Sequence, residues 1–303
     1  MKHFSILAVL TLSLFCFTLA SASAQNSFIV SGNPYAPPVV WEEYKKLVGL
    51  GPDLATTILG ELGISHTFML FNNWQDVQTK ARAKKIDMIV SAYKNNEREE
   101  YLSFSIPYLA QPIVIIVEKG KEFRFSSWDA LKGKRGVSNV GESYGQEFDD
   151  FIKQQLTVKY YQFERALQLL NLAEADYLVV DLYTALIYAR LLQGEDSITI
   201  LDPPVTVQNF HLAVRTDSAL AAHLPDIDKK LAELIKSGMV SDTLLKHYDK
   251  WQALIDKRAG YFARGKEARS KDQQAYLKEQ DEIARQRIVG TMVNREGLPP
   301  SAQ

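Results

Sequence analysis

The residues best placed to do chemistry lie between Lys84 and Tyr108, in the stretch KKIDMIVSAYKNNEREEYLSFSIPY. A short apolar strand, Ile86 to Val90, ends at Ser91; a polar turn follows, and Arg98 opens the next element. Ligands of open α/β sheets collect outside the C-terminal ends of the strands, so an arginine just beyond such an end is placed to clamp a carboxylate. Its planar guanidinium can do this with two parallel hydrogen bonds, which lysine cannot. Spacing alone leaves a second reading open, in which Arg98 is one charge of a solvated NNEREE run. A different chemistry is suggested by Gly141-Glu142-Ser143-Tyr144-Gly145, a Gly-x-Ser-x-Gly pattern that follows a strand and opens a helix, as the nucleophile elbow of a serine hydrolase does. Asp181 or Asp202, then His211, His223 or His247, come later in the order such an enzyme needs, but no His-Gly oxyanion motif lies upstream. The hydrolase reading also leaves the Arg98 region unexplained. His66, His211, His223 and His247 share no metal-ligand spacing, and nothing in the chain calls for a cofactor.

The elements around these residues alternate strand and helix. Strands are expected at Phe28 to Ser31, His66 to Phe71 and Ile86 to Val90, with helices at Pro52 to Leu62 and Asn73 to Lys84. Pro52 starts the first helix and Gly63 follows its end. Asn33 to Pro38 is expected to be loop, since its prolines remove backbone donors. The pattern restarts after Tyr108, with strands at Ile113 to Val117, Gly136 to Val140, Val158 to Tyr161 and Tyr177 to Val180, the last ending at Asp181. Helices fall between them, and further strands are expected at Ile198 to Leu201 and Phe210 to Val214. Two helices, about Leu220 to Ser237 and Ser241 to Ala253, close this region. Such alternation predicts two α/β units built on parallel strands. From Trp251 the texture turns to Lys, Arg, Glu, Asp and Gln, which reads as a charged helical extension over 252–303.

The N-terminus assigns a compartment. Lys2 and His3 precede the apolar run Phe4 to Leu19, and Ala22-Ser23-Ala24 offers a small-x-small cleavage site, so 1–24 reads as a secretory signal peptide. The run is short for a membrane span, which needs ~20 apolar residues. The single cysteine, Cys16, leaves with the signal, so the mature chain depends on its hydrophobic core and not on disulfides. A formal net charge of -1 argues against a nucleic-acid surface.

Several short motifs in fixed order resemble the bacterial periplasmic amino-acid-binding proteins, the type II Venus-flytrap receptors that feed ABC importers. The resemblance covers Phe28 to Trp251. Tyr35-Ala36-Pro37-Pro38 is similar to the family's Tyr-x-Pro-Phe loop, and Gly49 to Leu54 to its Gly-Phe-Asp-x-Asp-Leu helix start. Trp74 stands where the family has an aromatic before the second helix, and Ala83 to Asp87 matches its Gly-Lys-x-Asp turn. Ser91 to Arg98 fits Ser-x-x-x-Thr-x-x-Arg with Asn95 for Thr, and Phe104 to Tyr108 fits Phe-Ser-x-Pro-Tyr throughout. Gly141-Glu142-Ser143 resembles a Gly-[Ser/Thr]-[Ser/Thr] loop, and Ala175 to Asp181 an Ala-Asp-Ala-x-x-x-Asp strand.

The resemblance implies a two-lobed α/β periplasmic-binding-protein fold with a two-strand hinge near Leu109 to Pro112 and Val207 to Phe210. Lobe 1 would comprise 25–108 and 210–251, and lobe 2 would comprise 109–209. It also implies a binding protein, not an enzyme, expected to be a monomer whose partners are an amino-acid-like ligand and an ABC permease; a ligand-binding sensor or a periplasmic enzyme on the same fold is the alternative. Arg98 would hold the ligand's carboxylate with help from Ser143, Asp181 would accept its ammonium, and Ser91 would add contacts to either group. Tyr35 and Trp74 would sandwich the side chain. Tyr93 stands where the family has a small residue, so it is expected to reshape the cleft. Glu142 places a negative charge near the carboxylate site.

Overall fold

The chain is described here from a computed structural model, over residues 27–191 and 197–262 together with 282, 285 and 286. The first half runs β1 (Phe28–Ser31), β2 (Tyr35–Ala36), β3 (Val40–Glu43), β4 (Lys46–Val48), α1 (Leu50–Glu61), β5 (His66–Phe68), α2 (Trp74–Arg82), β6 (Met88–Tyr93), α3 (Asn96–Glu99), β7 (Leu102–Phe104) and β8 (Leu109–Glu118). The second half runs β9 (Arg135–Asn139), α4 (Gln146–Gln155), β10 (Thr157–Tyr161), α5 (Phe163–Asn171), β11 (Tyr177–Asp181), α6 (Leu182–Leu191), β12 (Ile198–Arg215), α7 (Leu224–Ser237) and α8 (Met239–Phe262). The main sheet has the order β10-β9-β11-β8-β12-β6-β1-β5, and β7 also pairs with β12.

The expected alternation appears as two parallel blocks. In one, β1 pairs in parallel with β5 and β6; in the other, β9 pairs in parallel with β10 and β11. The strands β8 and β12 pair antiparallel to each other and join the blocks, β8 against β11 and β12 against β6. Every residue of β6 is buried, as is every residue of β8 before Glu118. Their continuous apolar runs are what a strand covered on both faces requires.

Both blocks anchor their central strand by an aspartate at its base. Asp87 accepts hydrogen bonds from the Ile29 N–H (2.9 Å), Ser218 Oγ (2.8 Å) and Arg215 Nη2 (3.0 Å). Asp176 accepts from the Arg135 N–H (2.7 Å) and from its guanidinium. These two residues account for the Asp of the Lys-x-Asp turn and of the Ala-Asp-Tyr segment as fixtures of strand position. The Phe104 to Tyr108 motif is likewise a fastening. Ser105 Oγ accepts from the Leu212 N–H (3.0 Å) and donates to the Ile106 carbonyl (2.7 Å), while the fully buried Tyr108 donates its hydroxyl to the Val90 carbonyl (2.6 Å).

Three expectations are corrected. Tyr35–Ala36, expected as loop, pairs with Val40–Glu43, which pairs in turn with Lys46–Val48, to form a separate three-stranded sheet. Ile198 to Leu201 and Phe210 to Val214 belong to one strand, whose register shifts between Leu201 and Thr206. Pro203 and Pro204 fall in that irregular stretch, where their missing N–H groups cost no ladder bond. The helix expected from Leu220 is a 3₁₀ turn over Ala219–His223 before α7, which starts with a proline in its first turn. In the charged extension, α8 continues to Phe262, and Arg285 hydrogen-bonds Asp249 on that helix (2.7 and 3.1 Å). Most of the extension and the signal segment 1–24 lie outside the described residues.

The N-terminus of α1 sits against β6 with no room for a side chain at Gly51: an added Cβ would stand 2.9 Å from both Val90 Cγ2 and the Val90 carbonyl oxygen. Gly51→Ala is therefore expected to destabilise the fold by ~1–3 kcal/mol through overpacking. Urea unfolding of the variant beside the parent checks this.

Candidate functional site

A cavity of about 760 Å³ opens where the C-terminal ends of β6, β9 and β11 face the start of α2 and the β2 segment. This is the crevice position that open α/β sheets offer a ligand. Of the seven site residues drawn from the sequence, Tyr35, Trp74, Ser91, Tyr93, Arg98 and Asp181 line this cavity. Ser143 stands behind its wall, 6% exposed, with its hydroxyl donated to Asp149 Oδ2 (2.5 Å). It also accepts a hydrogen bond from Asn95 Nδ2 (3.0 Å).

Local sequence explains how each side chain is held. Asn73 caps α2 by accepting from the Asp76 N–H (2.8 Å), which fixes Trp74 as the first helical residue. Asn95 caps the short α3 by accepting from the Arg98 N–H (2.9 Å). Arg98 is then 2% exposed, donates Nη1 to the Tyr93 carbonyl (2.8 Å) and lies over the Trp74 ring, 5.1 Å from its centroid. Its buried Nε has no hydrogen-bond partner, and neither has the hydroxyl of Ser91. Tyr93 packs on Phe210, ring centroids 4.5 Å apart, so the bulk unusual at this position forms a wall of the cavity. Tyr35 is 53% exposed at the mouth.

On the opposite side, Asp181 Oδ1 accepts from Gln111 Nε2 (2.5 Å) and from the Thr184 N–H (2.9 Å). The second bond caps α6, so Asp181 serves as a helix cap and as a cavity carboxylate at once. Gln111 itself is 1% exposed, and its Oε1 has no hydrogen-bond partner. Glu142 also lines the cavity, held only by a long bond from Asn139 Nδ2 (3.4 Å).

Sequence reasoning named Glu142 only as a departure and missed Gln111 as a lining residue. The signal for Gln111 was available: a polar residue inside the apolar run LAQPIVIIVE must satisfy its amide on something.

Burial sets the electrostatics. It pulls the Arg98 guanidinium below its ordinary value, against the attraction of Glu142, and pushes Asp181 upward against its hydrogen bonds. Burial, then the nearby Asp181 charge, raise Glu142 from 4.5 to about 7, with Arg98 opposing.

The hydrolase reading finds no support in this geometry. Ser143 is bonded to Asp149 and Asn95, whereas His211 Nδ1 bonds the Ser105 carbonyl (2.7 Å) and His247 Nε2 bonds Asp53 (2.8 Å). His223 is exposed at the start of α7. Among the described residues, no three His, Cys, Asp or Glu side chains gather to hold a metal ion.

The Glu142 shift has a stability consequence. The folded carboxyl keeps its proton to about pH 7, whereas the unfolded one loses it near 4.5. The associated stability is therefore complete below pH 4.5 and is lost as pH rises to 7. The loss should reach about 3 kcal/mol. Urea midpoints measured across this range should fall for the parent and fall less for Glu142→Gln, in which Asp181 is unchanged.

Comparison with known proteins agrees with this architecture. The chain is 25% identical over 211 residues to the L-cystine-binding protein TcyJ of Escherichia coli (strain K12), covering 68% of this chain and 74% of that one. It is also similar to the P235GK mutant of ArgBP from T. maritima, at 25% identity and TM-score 0.61, over 74% of this chain and 95% of that one. An ancestral arginine-binding protein bound to arginine superposes at 28% identity and TM-score 0.60, over 74% and 97% of the two chains. Residues 28–253 match the bacterial extracellular solute-binding proteins, family 3, and the chain belongs to that family of substrate-binding proteins.

Proposed function

We propose that this protein is a periplasmic receptor that captures an amino acid between two lobes and presents it to an ABC permease. One observation carries the reading. Arg98 from one parallel block and Asp181 from the other are opposite charges on a single cavity, and among the described residues neither forms an ion pair. Buried charges are normally paired, so the site is complete only when a zwitterion supplies both partners. The buried polar atoms without a partner support the same polarity, with Arg98 Nε and Ser91 Oγ on the side of a carboxylate and Gln111 Oε1 beside Asp181 on the side of an ammonium. Tyr35, Trp74 and Tyr93 would pack the rest of the ligand, and Ser143 would act through Asn95 and not by direct contact. The names of the relatives, which bind cystine and arginine, favour an amino-acid ligand.

In this reading lobe 1 comprises 25–108 and 210–251, and lobe 2 comprises 109–209. The paired residues Leu109 to Pro112 and Val207 to Phe210 form the hinge. A ligand that bridges Arg98 and Asp181 binds the closed form better than the open one, and that difference drives closure. The protein works as a monomer, exported by its 1–24 signal.

A thermal-shift screen of L-amino acids should find at least one that raises the melting temperature. Arg98→Ala and Asp181→Ala should each weaken that ligand by ~2–5 kcal/mol, because each leaves a buried charge unpaired. Unchanged affinity in both variants, measured by calorimetry on folded protein, would refute the two-clamp mechanism.

A further inference from the structure

The cavity carries more carboxyl groups than a zwitterion can use. Its deep wall carries one guanidinium, Arg98, against two carboxyl groups, Glu142 and Asp181. Asp76, at the rim, is already served by Lys80 (4.0 Å) and by the Asn72 N–H (3.4 Å). Among the described residues, neither deep carboxylate is paired with a cation. The partners of Asp181 are Gln111 and Thr184, and that of Glu142 is Asn139. A ligand with one carboxylate and one ammonium would cancel Arg98 and Asp181 and leave the part-buried Glu142 without a cationic partner.

The second, independent observation is Gln111. Its side chain lines the cavity, is 99% buried by virtue of its 1% exposure, and spends its N–H on Asp181 while its oxygen has no partner. A buried acceptor without a partner beside one carboxylate, on a wall that carries another, favours a ligand rich in N–H donors. The aromatic faces of Trp74, Tyr93 and Tyr35 line the same cavity and suit the stem or the charged head of a cationic side chain.

We infer that Glu142 and Asp181, with the Gln111 oxygen, form a paired-carboxylate subsite, and that the ligand bears a net positive charge carried by ammonium or guanidinium groups. This rests on the proposed binding function and narrows its ligand class. The shared chemistry could come from a basic amino acid, which would also use Arg98, or from the corresponding amine without a carboxylate.

The experiment is calorimetric titration of the whole mature protein with L-arginine, L-lysine, agmatine and cadaverine, beside the neutral L-glutamine and L-leucine. At least one cation should bind 10-fold or more tightly than both neutral amino acids, and Glu142→Gln should remove that preference. The pH profile adds a readout that a merely structural role would not move. Glu142 faces Asp181 on β11, Arg98 on α3, Tyr93 on β6 and the neighbouring Tyr144. Affinity for the preferred cation should rise about tenfold from pH 6 to pH 8 as Glu142 ionises, and Glu142→Gln should flatten the rise. If Glu142→Gln does not fold, the pH profile of the parent protein decides: a flat affinity for the preferred cation from pH 6 to pH 8 overturns the inference.

The outcomes separate the two claims. A neutral amino acid that binds as tightly as the cations, unaffected by Glu142→Gln, overturns the inference and leaves the amino-acid-binding function standing. Binding of agmatine or cadaverine with no amino acid bound keeps the inference and overturns the proposed ligand. Failure of every cation to bind overturns the inference.

Discussion

Everything at the site hangs on the antiparallel pairing of β8 with β12. Among the described residues, these strands are the only connection in the sheet order between the block that carries Arg98 and the block that carries Asp181. Their register also reaches the cavity directly. Gln111 and Gln208 are cross-strand partners and so project to one face. The first gives its amide to Asp181, and the second gives its amide to the Tyr144 carbonyl (2.9 Å) in the loop that carries Glu142. Gly145, at φ 95°, lets that loop pass close to Gln208, where a Cβ would collide with the carboxamide. The linking strands therefore position the acidic wall of the site as well as the two halves around it.

The other constraint is electrostatic. Burying an arginine and two carboxyl groups around one cavity is costly unless something joins them. The fold offsets part of that cost with neutral dipoles: the Tyr93 carbonyl on Arg98, and the Thr184 N–H with the Gln111 amide on Asp181. Such dipoles hold the groups in position without neutralising them. The atoms left without partners are then a negative image of what the cavity is built to hold, with donors on one wall and acceptors on the other.

Much of this was legible in the sequence, for reasons that differ from residue to residue. Arg98 and Asp181 were readable as cavity residues because Asp181 ends a short apolar strand and Arg98 follows the turn after another, and the strand ends of a parallel sheet point to the crevice. The two blocks were readable from strand–helix alternation alone. Ser143 shows the limit: the motif gives its place in the loop, but the direction of a hydroxyl depends on Asp149 and Asn95, the latter 48 positions away in the chain. Gln111 stood out as a polar residue in an apolar run, but its partner Asp181 lies 70 positions away in the chain; the unity of β12 was hidden by Pro203 and Pro204. Prolines read locally as the end of a strand, whereas here they mark an irregular stretch inside one. The Phe104 to Tyr108 motif was readable as a landmark, but only the structure shows that it fastens β12 to β6 and backs the wall residue Phe210 without itself lining the cavity.

The bond chain from Asn95 through Ser143 to Asp149 joins the turn before α3 to the loop before α4, and none of its three members lines the cavity. Asp149 acts on the cavity's Arg98 through its charge, but the three hydrogen-bonding groups make no direct contact with what the cavity contains. An interaction of that kind changes the fraction of molecules ready to bind, and it scales the apparent affinity for every ligand by one common factor. Discrimination between ligands is left to the cavity wall. In the proposed receptor, a change in this bond chain would therefore bear first on the concentration at which the cavity fills, and a change in the wall on the identity of what fills it.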